Sequence, residues 1–343
     1  MKWERKALTD FVWFQRGFDL PKDKFVNGEF PVVGSTSILG YHTEAKVKAP
    51  GIVTGRSGTI GQFQFLKNDF WPHNTSLWVK DFYGNDERFA FYLLHTLDFI
   101  SLNGGGAVPS LNRNFLSSIN VNVPPLPTQR KIASILSAYD DLIENNLKRI
   151  KLLEEKALME YRILFKENKL KEFPIEDVWE IKYGKNLPQT KITELGKYPV
   201  YGAAGRIGFY EEFNYEFPVA LVTSRGNGSG VVHRTNQAAF VTNNSFAFVP
   251  KEEFVNVHFY LSEMILRDLE LTQLRSGTAQ PQLTIAGLIG VKLKLPNKEA
   301  LIEYNKVDDP SFDLIHTLEK QNSKLREARD ILLPKLMNGQ IEV

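Results

Sequence analysis

FPVVG at residues 30–34 recurs as YPVYG at residues 198–202, and each copy is followed six residues later by a glycine and an aromatic residue. Further matches occur in the same order and at nearly the same spacing: TGRSGTIG at 54–61 with TSRGNGSG at 223–230, GGAVPSL at 105–111 with GTAQPQL at 277–283, and INVNVP at 119–124 with VKLKLP at 291–296. Small loop insertions would produce the slight drift in spacing. We therefore predict that about half of the chain is duplicated in tandem.

The composition is that of a folded protein with more than one domain. The chain has 343 residues, of which 43% are hydrophobic and 12% aromatic, enough for two cores. It contains no cysteine, which excludes disulfides, a thiol nucleophile and cysteine-ligated zinc, and which is typical of a reducing cytoplasm. No apolar run approaches the roughly 18 residues needed to span a membrane. We expect a cytoplasmic protein without a membrane partner; the formal net charge of +2 indicates little about other partners.

Each predicted repeat has a β-rich part followed by a long helix. The first part is rich in glycine, asparagine and short β-branched runs, such as GIVT at 51–54 and VALVT at 219–223, which favour strands joined by loops. One short amphipathic helix is expected in each repeat, around residues 89–97 and 257–266. The first long helix should follow the helix breaker PPLP, and the second should follow Pro296 and the turn Asp308-Asp309-Pro310.

In both long segments apolar residues recur alternately every four and every three residues. This spacing keeps one stripe facing a partner helix, which is the condition for a coiled coil. Each stripe also contains one asparagine, a residue that can fix the register of such a pair. The alternative is that each helix packs only on its own domain. The predicted helix interface consists of Ile132, Leu136, Ile143, Asn146, Ile150, Leu153, Ile315, Leu318, Asn322, Leu325 and Leu332.

Three stretches resemble one known family. PPLPTQRKIA at 124–133 looks like the junction that opens the central helix of type I restriction-modification specificity subunits, and LLPKLMNGQI at 332–341 is similar to their usual ending. YPVYG at 198–202 together with RGNG at 225–228 matches their recognition-domain pattern. The resemblance covers essentially the whole chain. No single motif is decisive, but the same order twice, with helices between, is specific.

The resemblance and the repeat together predict an α+β fold. Two similar β-rich target-recognition domains would be separated by two long antiparallel coiled-coil helices, with an internal pseudo-two-fold repeat. The predicted segments are a first recognition domain at 1–124, a central helix at 125–170, a second recognition domain at 171–307 and a C-terminal helix at 308–343 that pairs with the central one.

The resemblance also implies a function. Each recognition domain would read one half of a bipartite, asymmetric sequence in double-stranded DNA, while the helices set the spacer and dock two methyltransferase subunits. Restriction (motor) subunits would complete the complex. S-adenosylmethionine, ATP and Mg would bind to those partner subunits. This chain would itself be non-catalytic and would bind no cofactor or metal. Independently, two similar modules on a stiff spacer would behave like a dimeric DNA reader.

The candidate DNA-binding residues lie in the paired loops. Arginine can bond guanine and asparagine can bond adenine in the major groove, whereas a residue matched between the repeats can simply serve the shared fold. Positions that differ, such as His73 against Thr242, are better candidates for choosing bases. The candidates are Arg56, Ser57, Thr59, His73, Asn74, Arg113, Arg206, Arg225, Asn227, Ser229, Asn243 and Arg275. Arg16, Lys185, Arg206, Arg234 and Arg275 are candidate phosphate contacts.

Signatures of catalysis are missing from the sequence. VPPL at 123–126 has the prolines of a DNA methyltransferase motif but lacks its polar and aromatic residues, no glycine cluster continues into a P-loop lysine, and the histidines are scattered. Three alternatives remain at this point: the specificity subunit of a fused methyltransferase–nuclease (type II-like) system, a coiled-coil scaffold that binds no DNA, and a methyltransferase with a degenerate motif.

Overall fold

A computed structural model describes residues 3–56, 60–99, 111, 113–203, 205–277 and 281–343, with the side chains at 113–115 left out. The chain forms two compact units. The first consists of Met1–Asn145 together with Gln321–Val343, and the second of Asn146–Lys320. Each unit therefore contains one β-rich domain and half of each long helix.

The β-rich domain of the first unit is built from two sheets. One sheet has the strand order β2-β8-β5-β6, the other has the order β4-β3-β7, and β1 pairs separately with β9. In chain order the elements are β1 (Glu4–Ala7), α1 (Leu8–Phe11), β2 (Trp13–Arg16), β3 (Phe30–Val33), β4 (Ile38–His42), β5 (Gly51–Gly55), β6 (Phe63–Leu66), β7 (Trp71–Pro72), β8 (Ser76–Asp81), α2 (Glu87–His95), β9 (Asn120–Val123) and α3 (Leu126–Glu167).

The second unit repeats this topology strand by strand. Its sheets have the orders β11-β17-β14-β15 and β13-β12-β16, and β10 pairs with β18. The predicted duplication is therefore confirmed. The elements are β10 (Lys171–Pro174), α4 (Ile175–Val178), β11 (Trp179–Tyr183), β12 (Tyr198–Gly202), β13 (Gly205–Tyr210), β14 (Ala220–Thr223), β15 (Val232–Arg234), β16 (Phe240–Val241), β17 (Ser245–Pro250), α5 (Phe259–Asp268), α6 (Ile285–Leu288), β18 (Lys292–Leu295) and α7 (Lys298–Met337).

The core of each domain lies between its larger sheet and its short amphipathic helix. In the first unit Phe89 and Leu94 of α2 are buried with Ile52 of β5, and the carboxylate of Asp86 caps α2 by accepting a hydrogen bond from the Phe89 amide (2.8 Å). The short helices lie within two residues of the predicted ranges 89–97 and 257–266. The short helix thus covers one face of the larger sheet.

The C-terminal helix begins ten residues before its predicted boundary at 308. It was predicted to follow the turn Asp308-Asp309-Pro310, but α7 runs unbroken from Lys298 through Pro310. That prediction is wrong, and so is the boundary at 308 that rested on it. A proline inside a helix removes one hydrogen bond. Here Asp308 and Phe312, on either side of it, are buried in the second unit, and this packing holds both parts in helical conformation. The central helix follows its predicted range 125–170 closely.

Halves of the two long helices pack together within each unit. In the first unit Ile132 and Leu136 share a core with Leu336, and Arg329 bonds Asp140 (2.6 Å). In the second unit the apolar cluster consists of Ile150, Ala157, Tyr260, Phe312, Ile315 and Leu318. Since Tyr260 belongs to α5, the helix halves pack on their own domain as well as on each other.

The predicted helix stripe is the buried side of α3 and α7. Its members are buried or partly buried: Ile132, Leu136, Ile143, Asn146, Ile150, Ile315, Leu318 and Asn322 are buried, and Leu153, Leu325 and Leu332 are half-buried. Among the described residues, no helix combines the length and the apolar character needed to cross a membrane.

Candidate nucleic-acid interface

In the first unit, loops from both sheets meet at one end of the domain. The carbonyl oxygen of Thr75, in the turn before β8, accepts hydrogen bonds from the amide of Arg56 (3.0 Å) and from the hydroxyl of Ser35 (2.9 Å). The amide of Leu111 in turn donates to the carbonyl of Arg56 (2.9 Å). The loop after β5, the hairpin turn between β3 and β4 and the segment at Leu111 are thereby joined into one surface.

The second unit builds the same loop cluster. The amide of Ser224 donates to the carbonyl of Asn244 (2.8 Å), and the amide of Leu283 donates to the carbonyl of Ser224 (2.8 Å). The hydroxyl of Thr223 donates to the carbonyl of Ala203 in the hairpin turn between β12 and β13 (2.7 Å). The two units thus present equivalent loop surfaces on the same backbone framework.

These hydrogen bonds correct one pairing made from the sequence. The sequence match pairs Arg56 with Arg225, but the backbone of Arg56 makes the two bonds that Ser224 makes in the second unit. The strand register agrees, because Gly55 lies opposite Ser76 and Thr223 lies opposite Ser245. The two arginines are therefore offset by one residue. Successive side chains of an extended chain point to opposite sides, so they do not occupy equivalent places on the surface.

The loop after β14 directs two of the predicted residues outward. The side chains of Arg225 and Asn227 are exposed, whereas Ser229 is fully buried. Gly226 and Gly230 have positive φ angles (80° and 79°), which glycine adopts without strain, and they close the loop into a compact turn. The exposed pair is thus held on a defined backbone.

Arg275 holds this loop in place. Its Nε donates to the carbonyl oxygen of Ser229 (2.6 Å), and the amide of Gly226 donates to Pro281 (3.0 Å). Arg275 and Ser229 were predicted to contact DNA; the structure places both in contacts that support the loop. Through these contacts they fix the loop that carries Arg225 and Asn227.

The predicted residues of the turn before β8 also make internal contacts. The ring nitrogens of His73 lie 3.0 Å from the hydroxyl of Thr75 and 3.1 Å from the carbonyl of Leu20, and the amide group of Asn74 donates to the carboxylate of Asp19. In the second unit Asn243 is half-buried, and its carbonyl accepts from Ser224 (3.5 Å). His73 and Asn74 therefore hold the loops together, and the idea that His73 chooses bases is not favoured.

The predicted phosphate contacts separate into exposed and buried groups. Arg206 and Lys185 are exposed, and the Arg206 guanidinium lies 5.1 Å from the ring centre of Phe209. Arg234, in contrast, forms an ion pair with the buried Glu263 (2.5 Å) and stacks on the ring of Tyr260 (4.6 Å). With its side chain only 17% exposed and paired inside the domain, Arg234 is poorly placed for the predicted phosphate contact. Arg16 is exposed and bonds the carbonyl of Asn74 (3.4 Å).

Three predicted residues cannot be placed on this surface. Ser57 and Thr59 lie outside the described residues, as does the side chain of Arg113. The candidates from sequence do not include the exposed apolar residues of the second strand of each hairpin, Ile38 and Leu39 in the first unit and Ile207 in the second. The available signal was the apolar residue that precedes the repeated glycine–aromatic pair in both repeats, Leu39 and Ile207.

A groove of about 430 Å³ in the first unit is not a second candidate site. Its charged groups are already paired, with Lys67 bonding Asp141 (2.8 Å) and Glu144 (2.5 Å), and Arg88 bonding Asp141 (3.1 Å). The hydrogen bonds to Asp141 and Glu144 raise the pKa of Lys67. Within the described parts of the chain, no three histidine or acidic side chains come together as metal ligands would.

Comparison with known proteins identifies the family. The family model described as "Type I restriction modification DNA specificity domain" matches residues 1–155 and again residues 167–329. The chain is 26% identical to the type I restriction enzyme MjaIX specificity subunit of Methanocaldococcus jannaschii, over 99% of this chain and 94% of that protein. It is 21% identical to the HindI specificity subunit of Haemophilus influenzae, over 99% and 96%.

The fold agrees with that assignment. The crystal structure of the S subunit of a type I restriction-modification system from M. genitalium superposes with a TM-score of 0.68 at 20% identity, covering 98% of this chain and 96% of that one. The predicted family is thus confirmed, because the family model matches both repeats. The chain belongs to the type I restriction modification DNA specificity domain family.

Proposed function

We propose that this chain is the sequence-specific DNA-recognition subunit of a type I restriction-modification complex, and that each domain reads one half of a bipartite target. One observation carries the proposal: the same loop cluster is built twice on equivalent backbone hydrogen bonds, and it carries different side chains in the two units. In the first unit the half-buried Arg56 stands where the second unit has the buried Ser224, and the exposed Arg225 of the second unit lies one residue further on. A shared framework with divergent outward residues is what two readers of different sequences require.

The exposed residues of the second unit suit contact with base edges. Arg225 and Asn227 lie two residues apart on a loop that Arg275 holds in place. Arginine can form a bidentate pair with guanine and asparagine with adenine, each contributing about 1–3 kcal/mol of discrimination. Arg56 of the first unit occupies a position one residue away from that of Arg225 in the second unit. The two half-sites should therefore differ, and the complete target should not be palindromic.

The long helices would set the distance between the half-sites. We infer that α3 and α7 pair as an antiparallel coiled coil and hold the two domains at a fixed separation. The buried stripe and the within-unit packing of their halves support this inference. A helix of 42 residues, the length of α3, spans about 60 Å, well over one 34 Å turn of B-DNA.

The partners of the complex would dock on the helices. Leu152 and Met159 of α3, seven residues apart on one face, are largely exposed. Exposed apolar side chains in a row fit a protein partner, which we take to be the two methyltransferase subunits. Restriction subunits would join them. S-adenosylmethionine, ATP and Mg would bind to these partner subunits, and this chain would recognise DNA without catalysing a reaction.

Co-expression with the cognate methyltransferase subunit, followed by genome-wide mapping of methylated adenines, tests the proposal. Two different short sequences separated by a fixed spacer are expected. A continuous palindrome, or methylation that does not depend on this chain, would contradict it. The same experiment addresses the scaffold alternative, which predicts no sequence preference. The relatives described above are named as type I specificity subunits and give no support to a fused methyltransferase–nuclease system.

A further inference from the structure

The hairpins β3–β4 and β12–β13 have an unusual feature in common with each other. Each hairpin has a register shift at the same place, between Val32 and Val33 in the first and between Val200 and Tyr201 in the second. Bulges of this kind bend a strand and redirect the side chains beyond it. The residue that follows each turn is therefore presented in the same way in both units.

The register identifies the equivalent residues. Ile38 lies opposite Val33, and Arg206 lies opposite Tyr201. Val33 and Tyr201 are themselves equivalent, since their carbonyl oxygens accept from the amides of His73 (2.8 Å) and Thr242 (2.9 Å), which occupy matching positions. Ile38 and Arg206 thus occupy one structural position with opposite chemistry.

Both side chains face outward at the end of the hairpin. Ile38 is 48% exposed, and Arg206 is exposed with its guanidinium over the ring of Phe209. The residue beyond each of them, Leu39 (42% exposed) or Ile207 (45% exposed), covers the glycine of the turn. Ile38 and Leu39 together leave apolar surface in water at the end of the first hairpin, and a contact outside the chain would bury it.

The hairpin turns are part of the loop cluster. Ser35 of the first turn and Arg56 bond the same carbonyl oxygen, that of Thr75. Ala203 of the second turn accepts from the hydroxyl of Thr223, two residues before Arg225. Any duplex that meets the arginine loops would therefore meet the hairpin ends. A two-stranded antiparallel ribbon also has the dimensions to enter the major groove.

From this geometry we propose that Ile38 and Arg206 are specificity-determining residues, each choosing a base in the half-site read by its own unit. The proposal rests on the proposed function and extends it to the hairpins. Ile38 offers an apolar surface, which fits the methyl group of thymine in the major groove. Arg206 offers a guanidinium pre-positioned by its aromatic neighbour, which fits guanine O6 and N7. The two half-sites differ at this position because the side chains differ.

Exchanging the two residues tests the proposal. The full chain carrying Ile38→Arg or Arg206→Ile is co-expressed with its methyltransferase subunit, and methylated positions are mapped. Each variant is expected to change the preferred base at one position of one half-site and to leave the other half-site intact. Methylation of the original motif should fall roughly fivefold or more, the lower end of what one base contact contributes.

Val255→Arg is the matched control. Val255 is a β-branched residue that is 64% exposed, and it lies beyond the end of β17 that is remote from the loop cluster, so the variant adds the same charge elsewhere. The control should keep the motif. Ile38→Ser provides a second variant that removes the apolar contact without adding charge, and it should relax the preference at the same base that Ile38→Arg changes. Thermal unfolding of each variant verifies that its fold is retained.

The outcomes separate the two proposals. If the wild-type chain directs no sequence-specific methylation, the proposed function fails and this inference fails with it. If the wild-type chain directs a bipartite motif that Ile38→Arg and Ile38→Ser leave unchanged, only the inference is overturned. A uniform gain for every sequence with Ile38→Arg would also overturn it, because that result indicates phosphate contact and not base choice.

Discussion

Lys156 of α3 bonds Asp308 of α7 in the second unit, with 2.9 Å between Nζ and Oδ1, and the Asp308 side chain is fully buried. The pair lies two residues before Pro310, where α7 lacks one helical hydrogen bond. The ammonium group of Lys156 thus neutralises a buried carboxylate close to the place where the helix lacks a hydrogen bond.

Removal of Lys156 should therefore destabilise the second unit. Lys156→Met leaves Asp308 buried without its partner, and we expect the free energy of unfolding to fall by about 3 kcal/mol. Lys151→Met removes an exposed ion pair with Glu155 (3.8 Å) and should cost under about 0.5 kcal/mol. Chemical denaturation of the two variants and of Lys156→Met with Asp308→Leu checks this. Equal losses in both single variants would contradict a structural role for Lys156.

Arg225 should determine part of one half-site. Arg225→Ala is expected to relax the preference for one base, by about 1–3 kcal/mol, while the other half-site is unchanged. Arg225→Lys keeps the positive charge but cannot form a bidentate pair, so it should keep overall affinity and lose the preference. Methylation mapping together with binding to duplexes that differ at one base measures both effects. Relaxation of both half-sites by the same variant would argue against separate readers.

Stability should fall in mildly acidic solution because histidines are buried. Burial lowers the pKa of His233, which stacks on Tyr201, and burial also lowers the pKa of His95 and His258. In the unfolded chain these histidines bind a proton below about pH 6.5, whereas in the folded chain they bind one only at a lower pH. The contribution of these neutral, buried histidines to the free energy of unfolding is thus complete above pH 6.5. It is lost as the pH falls toward their lowered pKa values in the folded protein.

His233→Phe isolates one of these groups. None of the described residues bonds Nε2 of His233, and the one hydrogen bond that phenylalanine loses is that of the ring to the backbone of Val231. At pH 7.5 the variant should be less stable by about 1 kcal/mol at most, and between pH 7.5 and 5.5 it should lose less stability than the wild type. Denaturant unfolding at the two pH values measures the difference. Parallel losses in both proteins would show that His233 does not titrate on unfolding.

The spacer of the target should follow the length of the helices. Adding seven residues to each of α3 and α7 preserves the 3.5-residue repeat and extends a helix pair by about 10 Å, near three base pairs. We expect the methylated motif to keep both half-sites and to gain about three base pairs between them. Replacing seven exposed residues without changing the length serves as the control. An unchanged spacer would refute the ruler role of the helices.

The duplication and the long helices could be predicted because both leave a periodic signal. Repeated motifs preserve order, and a buried stripe repeats with the helical turn, as Ile132, Leu136 and Ile143 do. The start of α7 was mistaken because proline has a strong local preference, which the burial of Asp308 and Phe312 overrides. Local sequence carries no information about such long-range packing.

The surface of the loop cluster was harder to predict than its framework. Arg56 and Arg225 look equivalent in sequence, and only the hydrogen bonds of Ser224 reveal the one-residue offset. Arg234 is of a residue type that often contacts phosphate, but Glu263 and Tyr260, from a distant segment, bury it. Which arginine faces water depends on tertiary neighbours, so residue type alone identified candidates without separating the exposed from the structural ones.

The first unit is assembled from two separate stretches of the chain, whereas the second is one continuous stretch. Leu336 and Met337, which complete the core of the N-terminal domain, are synthesised only after the whole of the second unit. During translation the domain begun first is therefore the one finished last. A chain that terminates prematurely within α7 would lack residues that complete the core of the N-terminal domain. The second unit would still contain most of its sequence.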